Sequence, residues 1–161
     1  MLACRALRNR GYDEFTPRYL EKRRWSDRVK EFEMPLFPGY LFCRFDLAQR
    51  MSVLSSPGVL GIVSFGGVPA PVDDTEVSHL KILTGSGKNP QPWPYLTEGE
   101  RIRIGSGPLT GMEGIVIQLK NQYRLIASVT LLQRSVAVEI DSDSATAISA
   151  SGRLKTGISV E

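Results

Sequence analysis

The sequence is poor in the residues that most often carry chemistry. It holds only two cysteines, Cys4 and Cys43, and a single histidine, His79. Two widely separated thiols make neither a metal-binding quartet nor a disulfide framework, which favours a reducing compartment such as the cytoplasm. No apolar run reaches the roughly 18 residues of a membrane-spanning helix. Charged residues begin at Arg5, so we expect neither a signal peptide nor a membrane partner.

Recognisable catalytic arrangements are also missing from the sequence. His79 falls inside a predicted helix, where a surface or structurally satisfied histidine is far commoner than a catalytic one. The adjacent acids Asp73 and Asp74 suit the N-cap of that helix, and Cys43 lies in an apolar segment that favours an inert thiol. Residues 105–107 are glycine-rich but lack the Lys-Ser/Thr ending of a phosphate-binding loop. We therefore expect a binding protein without a cofactor or metal site, and not an enzyme.

What the sequence does contain is a basic stretch near its beginning. Residues 5–30 hold nine arginines and lysines against four acids, a balance of +5, whereas the whole chain carries +3. This asymmetry indicates a polyanionic partner, although a solvated charged face would give the same count. Trp25 stands among the arginines of this stretch. An indole in that setting can stack on a nucleic-acid base or cover a local core, and the pattern leaves both open.

Residues 34–45 combine aromatic residues with two prolines. From Gly39 onward they read as a strand, whose side chains alternate between two faces. One face carries Tyr40 and Phe42 at positions where a half-solvated strand would carry polar residues. Either the chain's own helices cover both faces, or the aromatic face stays open for a partner.

The periodicity of residues 1–84 predicts an α+β module. Its elements in order are a helix within 2–10, a strand at 12–20, a charged hairpin tip at 21–28, the aromatic strand, a short helix at 47–55, an apolar strand at 59–65 and a helix from Asp73 or Asp74 to 84. The first helix lacks an N-cap and is too short to be stable alone, so we expect the chain to begin inside an element.

The second half of the chain follows a different pattern. Residues 85–97 begin with glycines and end with three prolines, which predicts a linker. Within residues 98–145 the apolar period becomes two, and four or five short strands over about 45 residues predict a small closed barrel. Residues 146–161 are small and polar, and we expect a disordered tail.

Two motifs, in this order along the chain, resemble the NusG family. Residues 36–42 are similar to the central motif of its N-terminal (NGN) domain. Residues 99–104 and 107–116 are similar to the KOW motif of its C-terminal barrel. Residues 23–28 and 131–139 resemble the specialised paralogues of the family, the RfaH/UpxY-like antiterminators.

The resemblance covers about residues 3–141. It implies an α+β fold, in which a NusG N-terminal-like α/β sandwich without its first strand is linked to a small SH3-like β-barrel. It also implies a transcription elongation and antitermination factor that binds RNA polymerase through its N-terminal domain and promotes processive elongation. The KOW domain would recruit a further partner, Rho or a small-subunit ribosomal protein. In RfaH this domain also refolds as a helical hairpin, whereas the alternation in the present sequence favours the barrel.

The resemblance assigns candidate residues as well. Those expected on or near the polymerase-binding face are Phe37, Tyr40 and Phe42. Those expected to contact nucleic acid, such as upstream or non-template DNA, are Arg23, Arg24, Trp25 and Arg28. The alternative from another class is a ribosome-associated RNA-binding protein built on the KOW barrel, because ribosomal proteins also carry this motif.

Overall fold

A computed structural model describes residues 2–96, 98–119, 122–141, 144–148 and 154–155. The chain divides into two compact units, Met1–Pro17 with Phe37–Pro71 and Arg18–Leu36 with Val72–Glu161. The predicted domains at 1–84 and 98–145 group the residues differently, and their boundaries stay a prediction.

Short helices occur among the strands of the first half, whereas the second half consists almost entirely of strands. The helices are α1 (Leu2–Asn9), α2 (Arg50–Leu54) and α3 (Asp74–Gly85), and 3₁₀ turns lie at Leu47–Gln49 and Thr130–Leu132. The strands of the first half are β1 (Asp13–Phe15), β2 (Arg18–Arg24), β3 (Val29–Pro35), β4 (Phe42–Arg44), β5 (Ser64–Phe65) and β6 (Val68–Pro69). Those of the second half are β7 (Gln91–Trp93), β8 (Glu100–Ile104), β9 (Glu113–Leu119), β10 (Gln122–Val129), β11 (Arg134–Ile140), β12 (Ala145–Ile148) and β13 (Leu154–Lys155).

The first unit is built on α1 and a two-stranded antiparallel sheet of β1 and β4. Helix α1 contacts β1 and buries Leu7 completely, which confirms the predicted helix within residues 2–10. The other large buried side chains of the unit are Phe37, Phe42 and Val53. Burial of these apolar side chains is the main favourable contribution to the stability of so small a unit.

The single strand predicted at residues 12–20 is wrong, because the structure has two strands there. β1 ends at Phe15 and β2 begins at Arg18. Between them lies Pro17, which has no backbone N–H to donate to a ladder and therefore interrupts the strand.

The apolar strand predicted at residues 59–65 is present only at its end. Ser64 and Phe65 form β5, which pairs with β6 across a turn at Gly66 and Gly67. Residues 59–63 pair with no strand among the described residues, and Leu60 is fully exposed. An apolar run forms a strand only where a neighbour accepts its hydrogen bonds, and the sequence alone does not reveal whether that neighbour is present.

In the second unit, β2 and β3 form a hairpin that is paired over its whole length, from Arg18 opposite Pro35 to Arg24 opposite Val29. The charged tip predicted at 21–28 is therefore too long, since the turn comprises only residues 25–28. A two-stranded ribbon can expose both faces to water, so a run of charged residues fits its ladder as well as it fits a turn.

Helix α3 forms as the sequence predicts. The carboxylate of Asp73 accepts a hydrogen bond from the backbone N–H of Thr75 at 2.7 Å, which caps the helix. Leu80 and Leu83 are buried on one side, and α3 contacts β10 of the large sheet.

The large sheet of the second unit has seven antiparallel strands in the order β13-β12-β8-β9-β10-β11-β7. Its core includes Ile102, Leu125, Val129 and Val136, each fully buried. The predicted strands of the KOW-like region are thus present, whereas closure into a barrel stays a prediction.

Two expectations about the ends of this region are corrected. The predicted linker contains strand β7, which pairs with β11. Pro92 has no backbone N–H, and this is tolerated because β7 is the last strand of the sheet. The predicted tail contains the end of β12 and all of β13, which pair antiparallel with each other. The rest of that predicted tail lies outside the described residues. Among the residues described, no helix has the length and apolar character needed to cross a membrane.

Candidate functional site

The tip of the β2–β3 hairpin brings together the four residues expected to contact nucleic acid. Arg23 and Arg24 end β2, and Trp25 and Arg28 form the two ends of the turn. The backbone N–H of Trp25 donates to the carbonyl of Arg28 at 2.8 Å, which closes the turn. The four side chains therefore share one end of a narrow ribbon.

Charge along this hairpin is sorted by position. Towards its base, Arg18 pairs with Glu33 at 3.1 Å. Towards its tip, residues 22–30 contain five basic residues and one acid, Asp27. Arg24 has no ion pair with any residue that the structure describes. Lys22, Arg23 and Arg28 pair with Glu31, Glu21 and Asp27 respectively. The surplus positive charge near the tip therefore rests on Arg24 and Lys30.

Trp25 stands at the tip as an exposed aromatic surface and not as a cover over a local core. Its side chain is 54% exposed, and the ammonium of Lys30 lies 5.2 Å from its ring centroid. A similar contact places the guanidinium of Arg23 5.9 Å from the ring of Phe32. Cation–π contacts of this kind hold the cations beside an aromatic face that a base can still approach.

The aromatic segment of the first unit begins with a tight turn and not with a strand. The backbone N–H of Tyr40 donates to the carbonyl of Phe37 at 3.0 Å. Pro38 supplies the fixed φ of the second turn position, and Gly39 has a φ of +85° at the third, the arrangement of a type II turn. The strand predicted from Gly39 onward starts only at Phe42.

This geometry corrects the expectation of an uncovered aromatic face. Phe37 is 1% exposed and Phe42 is 8% exposed. Their rings meet edge to face with centroids 5.8 Å apart, and Phe15 lies 6.1 Å from Phe42. Of the three aromatics proposed for polymerase contact, only Tyr40 is exposed, at 39%. The other two form the core on which the turn that presents Tyr40 rests.

The same unit also carries a set of exposed apolar side chains that the sequence patterns do not predict as a binding surface. These are Leu47, Met51, Leu60, Phe65 and Val68, each more than half exposed. The apolar run that ends at Phe65 is the part of this set with a signal in the sequence, and that signal predicts an apolar strand at residues 59–65. A contiguous apolar surface is typical of a protein-binding face, and these five side chains are the candidates for one in this unit.

The titratable groups that the structure describes show no catalytic arrangement. Burial raises the pKa of the Cys43 thiol, and the nearby carboxylates of Asp13 and Glu14 act in the same direction, as expected of an unreactive thiol. Burial lowers the pKa of His79. Within the described part of the chain, no group of three or more His, Cys, Asp or Glu side chains is placed to hold a metal ion.

Comparison with known proteins gives a consistent result. The family model described as "Transcription termination factor nusG" matches residues 2–81. The "Transcription termination/antitermination protein NusG" of Thermus thermophilus is 32% identical over 117 residues, which cover 66% of this chain and 64% of the relative. The protein of the same name from Borreliella burgdorferi is 31% identical over 133 residues, with 75% and 71% covered.

The protein of this name from Escherichia coli K12 is 32% identical over 119 residues, with 70% of this chain and 65% of the relative covered. The chain thus spans slightly less than two thirds of the Thermus and Escherichia proteins. The similarity extends beyond residues 2–81, since alignments of 117 to 133 residues cannot fit within that segment.

Proposed function

Because the chain belongs to the NusG family, we propose that it is a transcription elongation and antitermination factor that binds RNA polymerase. The observation that carries this proposal is the family match over residues 2–81, a segment that holds both Tyr40 and the exposed apolar side chains. Such a factor acts by binding and not by catalysis, in the compartment where the polymerase works, the cytoplasm.

The polymerase contact is assigned to the first unit. Tyr40 projects from a turn that is fixed by the buried rings of Phe37 and Phe42. Covering a few hundred Å² of apolar surface around it contributes on the order of 10 kcal/mol before the costs of association. Of the three predicted contact residues, only Tyr40 is proposed to contact the polymerase. The buried side chains of Phe37 and Phe42 hold the turn that carries Tyr40 in place.

The nucleic-acid contact is assigned to the hairpin tip. Arg24 makes no ion pair with a described residue, so its charge is available, and Trp25 offers an exposed ring for stacking on an unpaired base. Stacking on an aromatic side chain contributes about 1–3 kcal/mol per base. A positive charge beside an exposed aromatic ring suits upstream or non-template DNA as the binding partner. Arginines of this kind position a backbone and do not specify a sequence.

The sequence likeness of residues 23–28 and 131–139 to the specialised paralogues supports a place among the RfaH/UpxY-like antiterminators. The seven-stranded sheet supports a KOW domain that recruits Rho or a small-subunit ribosomal protein. A ribosome-associated RNA-binding protein would use the same sheet. The two functions therefore differ in whether the chain binds RNA polymerase or ribosomal subunits.

The test is binding of the full chain to bacterial core RNA polymerase and, separately, to ribosomal subunits. Tyr40→Ala should weaken polymerase binding at least about tenfold, the effect of about 1.4 kcal/mol. Tyr95→Ala, at a half-exposed tyrosine of the second unit, is the matched control and should bind as the wild type does. Wild-type affinity in a folded Tyr40→Ala protein, or co-sedimentation with ribosomes alone, would contradict the proposal.

A further inference from the structure

Helix α1 has a second face that its own unit leaves open. One side of the helix buries Cys4 and Leu7, and another side borders a groove of about 400 Å³. Residues three or four positions apart are neighbours on a helix surface, so the side chains along this side form a continuous row. The residues that line this α1 groove are Leu2, Arg5, Ala6, Asn9, Arg10 and Pro57.

The small side chain of Ala6 gives the α1 groove its depth. Pro57 lines it from outside the helix, where the chain runs close to α1: a Cβ built on Gly58 would lie 2.9 Å from the backbone nitrogen of Ala3. The walls are mainly apolar, and Leu2 at one end is 63% exposed. Pockets of roughly 300–1,000 Å³ hold whole small-molecule ligands, so this groove has room for one bulky apolar side chain.

The rim of the groove carries two arginines whose charges are not neutralised. Arg5 is exposed, and neither Arg5 nor Arg10 has an ion pair with a residue that the structure describes. The Nη1 of Arg10 donates to the carbonyl of Ser52 and to the hydroxyl of Ser55, both neutral acceptors. These bonds hold the Arg10 side chain in place before a ligand arrives, which lowers the entropy cost of binding.

Apolar walls beside unneutralised arginines select the occupant. A second copy of this chain would bring the same arginines together, which like-charge repulsion opposes. A nucleic acid would find positive charge but no ring to stack on, because none of the six lining residues is aromatic. An anionic membrane takes up apolar side chains that protrude from a helix, whereas the apolar surface here is concave. An acidic polypeptide with one bulky apolar side chain matches both features.

We propose that the α1 groove binds an acidic segment of a second protein partner. One bulky apolar side chain of that segment lies over Ala6, and carboxylates on either side of it pair with Arg5 and Arg10. Burial of the apolar side chain supplies most of the affinity, while the charge pairs fix the position of the segment. This contact is separate from the polymerase contact assigned to Tyr40 and does not depend on it.

The test follows the backbone amides of residues 5–10 by NMR in the ¹⁵N-labelled full chain, without RNA polymerase. The first probe is a short peptide with one central leucine flanked by glutamates, and the second has serine in place of that leucine. The leucine peptide should shift these amides in a saturable manner. The serine peptide should bind at least about tenfold more weakly, because it has no apolar side chain to bury. Single-stranded DNA and vesicles of phosphatidylglycerol should leave the amides unchanged.

Two pairs of variants test the groove and its charge. Ala6→Leu fills the groove with a residue that favours helices and should abolish peptide binding. Ala48→Leu adds the same side chain at an exposed alanine of the same unit and should bind as the wild type does. Arg5→Glu should weaken binding roughly tenfold, because a repulsion replaces an attraction. Arg50→Glu makes the same change at another exposed arginine and should leave the affinity unchanged.

Several outcomes would overturn the proposal. They are the absence of a saturable shift with the leucine peptide, an equal affinity for the serine peptide, and wild-type affinity in Ala6→Leu or Arg5→Glu. Shifts caused by DNA or by vesicles but not by the peptide would assign the groove to a nucleic acid or a membrane instead. Circular dichroism checks that each variant is folded, and the exposed Arg5→Glu keeps the test decisive if Ala6→Leu does not fold.

Discussion

The carboxylate of Glu76 accepts hydrogen bonds from both donors of Thr130, its backbone N–H at 3.1 Å and its hydroxyl at 2.7 Å. Glu76 lies on α3, and Thr130 opens the 3₁₀ turn between β10 and β11. A single side chain therefore caps this turn and attaches the helix to the sheet. The two residues are 54 positions apart, so no local sequence pattern predicts the contact.

We expect Glu76→Ala to lower the free energy of unfolding by about 1–2 kcal/mol, because it leaves both Thr130 donors without their acceptor. Urea denaturation followed by circular dichroism measures this change. Glu100→Ala, at an exposed acid of β8, is the control and should stay within about 0.5 kcal/mol of the wild type. A Glu76→Ala protein as stable as that control would show that the contact contributes nothing to the fold.

The buried rings of the first unit give a second prediction. Phe42→Ala should lower the free energy of unfolding by about 3–5 kcal/mol, because it opens a cavity between Phe15 and Phe37. Tyr40→Ala removes a partly exposed ring and should cost less than about 1 kcal/mol. Thermal unfolding of the two variants checks the order. Equal losses would mean that Tyr40 also belongs to the core and is a poor reporter of binding.

The sequence predicted well those elements whose signal is local. Asp73, one of the two acids predicted as the N-cap, caps α3, and the apolar alternation around Leu125 identifies the sheet region. What it could not predict depends on distant neighbours. The rings of Phe37 and Phe42 are as apolar on a binding face as in a core, and only their contacts with the rest of the unit decide between the two. The strand prediction for the run that ends at Phe65 was wrong for the same reason, since a strand forms only beside a neighbouring strand that pairs with it.

The candidate site shows the same division. The arginines and Trp25 were recognised because charge and aromaticity are visible in the sequence itself. Their arrangement was not predicted, because Arg23 and Arg24 belong to a paired strand and not to a turn.

Gly114 should be the least replaceable glycine of the large sheet. A Cβ built on it would lie 2.5 Å from the carbonyl oxygen of Ile126 and 2.8 Å from the side chain of Leu125. Gly114→Ala must therefore push β9 away from β10, and we expect a loss of about 1–3 kcal/mol in the free energy of unfolding.

Gly105 provides the matched control in the same sheet region. A Cβ there would lie 4.0 Å from the hydroxyl of Thr146, an ordinary contact distance. Gly105→Ala should therefore leave stability nearly unchanged, and chemical denaturation of both variants compares them directly. If both substitutions lower the free energy of unfolding equally, the close approach of the strands is not the reason that position 114 requires glycine.

His79 should make the stability of the fold depend on pH below neutrality. Burial lowers its pKa in the folded state, and this effect exceeds the opposing attraction of Glu113, Asp73 and Glu76. The unfolded chain therefore binds more protons as the pH falls through the ordinary value of 6.5. Stability should decrease from that pH down to the lowered folded pKa and show no further loss from this group below it.

The variant His79→Gln should remove this slope, because the sequence contains no second histidine to titrate in the same range. Thermal midpoints of both proteins between about pH 8 and pH 5 make the comparison. The pKa of Asp73 is also lowered, by its hydrogen bonds to Thr75, but from an ordinary value of 3.8. Its stabilising contribution is lost only as the pH falls through that still lower folded pKa, outside the measured window. An unchanged slope in His79→Gln would therefore place the titrating group elsewhere, and the half-buried histidine would then be neutral in its effect on folding.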